Sequence, residues 1–109
     1  MEGAPVSNPE TAIQREVVNA LERAGCRVFR LNAGGYRQRV RLCPPGTPDL
    51  LCVPRRGPAI WMEVKRPGEL TSDAQNEMLN ELTSRGQRCW IVHGPLEALG
   101  ALEEETNDS

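Results

Sequence analysis

The chain has 109 residues and a formal net charge of −2, the length of one domain around one modest core. Its longest run of aliphatic residues and cysteine, Leu50 to Val53, is far short of the ~20 residues of a membrane span, and Met1 to Asn8 has neither the basic start nor the apolar run of a secretory signal. A single histidine (His93) and four cysteines without a CxxC pair exclude His-cluster metal sites and Cys/His-rich fingers, and the absence of GxSxG and of any glycine-rich phosphate loop disfavours serine hydrolases and nucleotide-driven enzymes.

Asn8 followed by Pro9 opens a helix as cap and first-turn proline. Ile13, Val17, Ala20, Leu21 and Ala24 carry its spacing, and Gly25 ends it. Glu16 falls about 60° from Ile13 on the helical wheel, at the edge of that apolar stripe. Cys26 to Asn32 reads as a strand and Ala33-Gly34-Gly35 as a turn. Tyr36 to Leu42 then alternates, with Arg37, Arg39 and Arg41 on one face. Pro44 to Pro48 forms a rigid loop that delivers Asp49 to the strand Leu50 to Val53, and Pro54 to Pro58 turns the chain into the strand Ala59 to Lys65. Thr71 caps a helix whose core face is Ala74, Met78, Leu79 and Leu82, closed by Gly86. Arg88 to His93 is the last strand, and Leu96, Leu99 and Leu102 mark a short closing helix.

The domain is expected to span residues 1–102, and the acidic tail 103–109, devoid of apolar residues, to be disordered. Three of the four cysteines (Cys26, Cys43, Cys52, Cys89) sit in apolar strand-like runs, the pattern of free thiols in a reducing cytoplasm. Helix, strands, helix, strand gives an α/β domain: a mixed central sheet flanked by helices, with a right-handed crossover.

Charge is segregated. Residues 27–66 hold nine basic groups and two acids, a net +7, against −9 for the remainder. A basic block of this size suits phosphate contact. Its only acids are Asp49 and Glu63, and carboxylates inside a polyanion-binding surface repel the ligand unless a cation lies between. In a strand Glu63 and Lys65 share a face. A hairpin centred between Arg56 and Gly57 sets Asp49 opposite Val64, within one register step of both. A Mg²⁺ ion would relieve the repulsion of two such close carboxylates. Lys65 is the only lysine among thirteen basic residues, and unlike Arg it offers a compact ammonium. Asn32 and the Arg37/Arg39/Arg41 face are candidate DNA contacts, although an ordinary exposed strand reads the same way.

The run Gly46-Thr47-Pro48-Asp49-Leu50, then Glu63-Val64-Lys65, then Gln75 in the next helix, resembles the PD-(D/E)XK nuclease superfamily. Within it the resemblance, over residues 9–95, is to the VRR-NUC (virus-type replication-repair nuclease) family in its small stand-alone form. It implies a restriction-endonuclease-like core and a Mg²⁺- or Mn²⁺-dependent endonuclease hydrolysing DNA. Asp49, Glu63 and the Val64 carbonyl would be metal ligands, and Glu16 would approach the metal from the first helix, directly or through water. Lys65 would orient or activate the attacking water, and Gln75 would position the site. Stand-alone members further imply branched DNA such as Holliday junctions, a part in DNA repair, and a homodimer. The alternative is a non-catalytic DNA-binding or scaffold module on the same fold, with Glu63 and Lys65 as a surface pair. A sequence-reading restriction nuclease is disfavoured by the lack of spare length.

Overall fold

The computed structural model describes residues 9–31 and 43–107. Asn32, the expected strand at 36–42 and its arginines Arg37, Arg39 and Arg41 lie outside these described residues. Within them the order is α1 (Pro9–Arg23), β1 (Arg27–Arg30), β2 (Leu50–Val53), β3 (Ile60–Val64), α2 (Asp73–Ser84), β4 (Arg88–Val92) and α3 (Pro95–Thr106). The strands form one sheet in the order β1-β2-β3-β4. The first two pairings are antiparallel and β3 with β4 is parallel. The mixed character follows from the connections: the tight β2–β3 turn returns the chain antiparallel, whereas the β3-to-β4 link crosses over through α2 and restores the direction. None of the described helices is long and apolar enough to cross a membrane.

The core lies on one face of the sheet. Val17, Val18 and Leu21 of α1 and Ala98 and Ala101 of α3 pack with Leu50, Cys52, Ile60, Met62, Val64 and Val92. Alternation along the strands selects these positions, since every second side chain meets the helices. The closing helix buries its alanines rather than its leucines: Leu96 is exposed, and Leu99 and Leu102 are half-buried. Small side chains let α3 approach the sheet closely alongside α1. Cys26 and Cys52 are buried, Cys43 and Cys89 half-buried, and all four are free thiols. Burial, with the neighbouring Cys26, pushes the Cys52 thiol up to about 12, which leaves it inert.

Three expectations need correction. Helix α2 has no fully buried residue: Met78, Leu79 and Leu82 are half-buried and Ala74 is exposed, so it leans on β4 without building a second core. Its N-cap is Ser72 rather than Thr71, because Ser72 completes a reciprocal capping box with Gln75. Finally, α3 runs on through Thr106 into the segment expected to be disordered. Glu105 explains this, accepting hydrogen bonds from Trp90 Nε1 (2.7 Å) and from Arg88 Nη1 on β4. Composition marks the whole tail as solvated, whereas the sheet supplies Glu105 with two donors.

The hairpin also differs by a half-step. Leu50 pairs with Met62 and Cys52 with Ile60, so the turn centres on Arg56 itself. Extended by one residue, this register brings Asp49 level with Glu63 rather than with Val64.

A one-sided core predicts unequal costs of truncation. Leu21→Ala should destabilise the protein by about 2–5 kcal/mol in urea unfolding, and Leu82→Ala, half-buried on α2, by less than half as much. Equal losses would mean that α2 is as deeply packed as α1.

Candidate metal centre

Asp49 owes its position to the loop before it. Thr47 donates to the Pro44 carbonyl through both its N–H (3.2 Å) and its hydroxyl (2.7 Å), closing a tight turn. Gly46 within this turn has φ +86, and a Cβ there would lie 2.2 Å from the Ala74 carbonyl oxygen. Only glycine permits both the left-handed backbone and that approach. The loop is thereby seated against the first turn of α2. Beyond it, Leu31 N–H donates to the Asp49 carbonyl at 2.9 Å, and Val64 N–H donates to Asp49 Oδ2 at 2.9 Å.

Glu63 sits level with Asp49 and is 1% exposed. Its Oε2 accepts from Gln75 Nε2 at 2.9 Å. Its Oε1 is buried without a hydrogen-bond partner among the described residues, an uncompensated acceptor that costs about 1–3 kcal/mol or more if charged. The Gln75 amide can face only one way. Its Oε1 accepts from the Ser72 backbone N–H at 2.8 Å, which turns its NH₂ group towards Glu63. The capping box of α2 therefore orients a group in the site.

The third carboxylate comes from α1, and it is Glu10. Oxygen atoms of Glu10, Asp49 and Glu63 all lie within 4.8 Å of one another. Glu16, expected to approach the metal, is exposed and lies about 9 Å farther along the helix axis. The signal for Glu10 was in the sequence. It falls about 20° on the wheel from each of Val17 and Leu21, whereas Glu16 lies about 100° and 140° from them. Val17 and Leu21 are fully buried, so the line through them points the first turn of α1 at the sheet. Measuring Glu16 from half-buried Ile13 alone hid this. An acid in the first turn also reads as a partner of the helix dipole, which disguised Glu10.

Lys65 is 6% exposed, buried although it follows the strand. Its Nζ lies 3.8 Å from Glu63 Oε2 and 3.6 Å from Glu69 Oε2. Of the expected site residues, then, Asp49, Glu63, Val64, Lys65 and Gln75 come together, Val64 touching Asp49 through its N–H. Glu16 does not join them, and Asn32, Arg37, Arg39 and Arg41 lie outside the described residues.

The electrostatics are those of charges forced together. Burial, then the charge of Asp49, pushes Glu63 up to about 8 against the opposing pull of Lys65. Burial likewise raises Asp49, despite the Val64 N–H, and raises Glu10, with Glu69 adding to the effect. Three hard oxygen donors, with a buried carboxylate oxygen that has no hydrogen-bond partner among the described residues, fit a hard divalent cation.

A mixed sheet gathers three carboxylates and a lysine at the end of a hairpin, and the family model that the chain matches makes this a nuclease-type α/β domain acting on DNA. The chain belongs to the VRR-NUC family: the model of the VRR-NUC domain matches residues 5–95. Two solved structures share the fold. A VRR_NUC domain superposes with a TM-score of 0.71 at 22% identity, covering 89% of this chain and 97% of its own. A VRR_NUC domain protein gives 0.65 at 16% identity, covering 90% and 88%. A search of the curated proteins finds no match.

Two predictions follow from the carboxylates. In isothermal titration with Mn²⁺, Glu10→Ala should weaken binding about tenfold or more, as loss of a ligand or its support does, while Glu16→Ala leaves it unchanged. The second concerns pH. Because Glu63 is raised from 4.5 to about 8, the folded state binds its proton more tightly than the unfolded state. The associated stability is fully present below pH 4.5 and is lost as pH rises through 8. Thermal unfolding in EDTA should show this decline, and Glu63→Gln should flatten it.

Proposed function

We propose that this chain is a divalent-metal-dependent DNA endonuclease that hydrolyses phosphodiester bonds in branched DNA such as Holliday junctions, working as a homodimer. The observation that carries the reading is the Glu10–Asp49–Glu63 cluster, with a partnerless Glu63 oxygen and the chain's single lysine beside it.

Asp49, Glu63 and Glu10 would hold Mg²⁺ or Mn²⁺, with the Val64 carbonyl as the further ligand that the family resemblance implies. Such an ion, when bound, supplies Lewis-acid polarisation of the scissile phosphate and a water of lowered pKa. The protein's own groups do the rest. Gln75 holds Glu63 in one orientation, and the Val64 N–H does the same for Asp49. The Lys65 ammonium orients the attacking water and offsets the negative charge that develops on the phosphate, an effect usually worth 10²–10³ in rate. Asn32, Arg37, Arg39 and Arg41 are proposed to contact the DNA, the arginines engaging backbone phosphates and so setting register without reading sequence.

The deciding experiment offers purified protein a fluorescent four-way junction, a splayed arm and plain duplex, in Mg²⁺ or in EDTA. Cleavage should require Mg²⁺, favour the junction, and fall by roughly 10²-fold or more in Asp49→Ala and Lys65→Ala while binding persists. Lys65→Arg should fail almost as completely, because the guanidinium is larger, planar and differently aimed. Light scattering of the active fraction should give the dimer mass. Binding without cleavage in both Mg²⁺ and Mn²⁺ would replace this reading with that of a DNA-binding scaffold.

A further inference from the structure

Lys65 is held by two carboxylates, and only one of them belongs to the metal cluster. The other is Glu69, four residues on, at the end of a turn opened by Gly68 at φ +84. The turn is closed at both ends by the same residue. Glu69 N–H donates to the Arg66 carbonyl at 3.0 Å. Glu69 Oε1 in return accepts from the Arg66 backbone N–H at 3.0 Å and from Arg66 Nε at 3.4 Å. One oxygen is thus committed to the turn, and the other, Oε2, faces Lys65 Nζ at 3.6 Å.

We propose that Glu69 is a positioning residue for Lys65. Resting on the nuclease reading above, its carboxylate anchors the ammonium at a fixed place beside the metal cluster and keeps it from closing onto Glu63. The need is physical. A lysine side chain carries about 2 kcal/mol of rotamer entropy, and its other anion here, 3.8 Å away, is Glu63, whose oxygens a cation requires. Without a second anchor, Lys65 pairs with Glu63 alone and competes with the metal for it. With Glu69 in place the ammonium is shared between two carboxylates, and its third N–H can serve water or a phosphate oxygen.

The chain itself makes this testable, because Lys65 is its only lysine. Protein grown with ¹³C,¹⁵N-lysine therefore gives one lysine side-chain spectrum. In the metal-free wild type the two Cε protons should be inequivalent, as in a fixed side chain. In Glu69→Gln, whose amide oxygen can still accept from Arg66 N–H, they should average to one signal with the unfolding temperature preserved. Glu69→Asp, which keeps the charge on a shorter stem, should restore part of the splitting. The junction assay should show kcat reduced about tenfold to a hundredfold in Glu69→Gln, as misplacement of a reacting group costs, with KM for DNA unchanged. A lysine spectrum indifferent to Glu69→Gln would overturn the proposal, as would an altered spectrum with unaltered kcat. If the wild type cleaves no DNA, the proposed function fails, yet the spectra still decide whether Glu69 holds Lys65.

Discussion

Two carboxyl groups that water would keep apart, Glu63 buried and Asp49 half-buried, meet at the end of one hairpin, and much of the structure is arranged around them. Asp49 and Glu63 stand level across the β2–β3 ladder, and burial raises the pKa of both. Low dielectric makes their repulsion strong, and either a proton or a cation must resolve it. Glu10 enters the same space from α1 and increases the demand. An arrangement so unfavourable in the bare protein is what a site for a small hard cation requires, since each carboxylate is attracted to an ion placed between them.

One carboxylate is held by a backbone N–H and the other by a side chain that the backbone orients. Val64 N–H fixes Asp49, and the first turn of α2 fixes Glu63 through Gln75. Both routes meet at one contact, where Gly46 lies against the Ala74 carbonyl. The loop that places Asp49 and the helix that places Gln75 are thus braced against each other. A side chain at Gly46 would disturb both ligands at once. The Val64 N–H cannot change rotamer, and the Gln75 side chain is kept from doing so by the Ser72 N–H.

The core supports this from one side. With α1 and α3 on the packed face and α2 resting half-buried on β4, the apolar interior ends where the carboxylates begin. Ile60, Met62 and Val64 anchor β3 in that interior while Glu63 and Lys65, alternating with them, are buried on the other face. Strand β3 thus serves as core and as site within five residues. Stability given up at Glu63 is recovered in the packing of its neighbours, the usual division between a strained functional group and a rigid scaffold.

Periodicity made most of the fold legible. Strand β2 was readable to the residue, and α1, β3 and β4 to within a residue or two, because apolar positions at helical or alternating spacing are imposed by the core itself. The Gly-Thr-Pro-Asp and Glu-Val-Lys runs were legible for the same local reason: each places its side chains by sequence distance alone. What sequence distance could not supply is which remote residues arrive beside them. Glu10 reaches the carboxylates only because α1 packs with Val17 and Leu21 down, and Glu105 is ordered only because β4 offers it Trp90 and Arg88. The half-step in the hairpin belongs here too, since strand spacing leaves the turn centre open until the ladder forms. The sequence determined the chemistry available, a pair of acids and one lysine in a basic block. Tertiary packing decided which third acid completes the cluster and which second anion holds the lysine, because only packing brings distant side chains within a few ångströms.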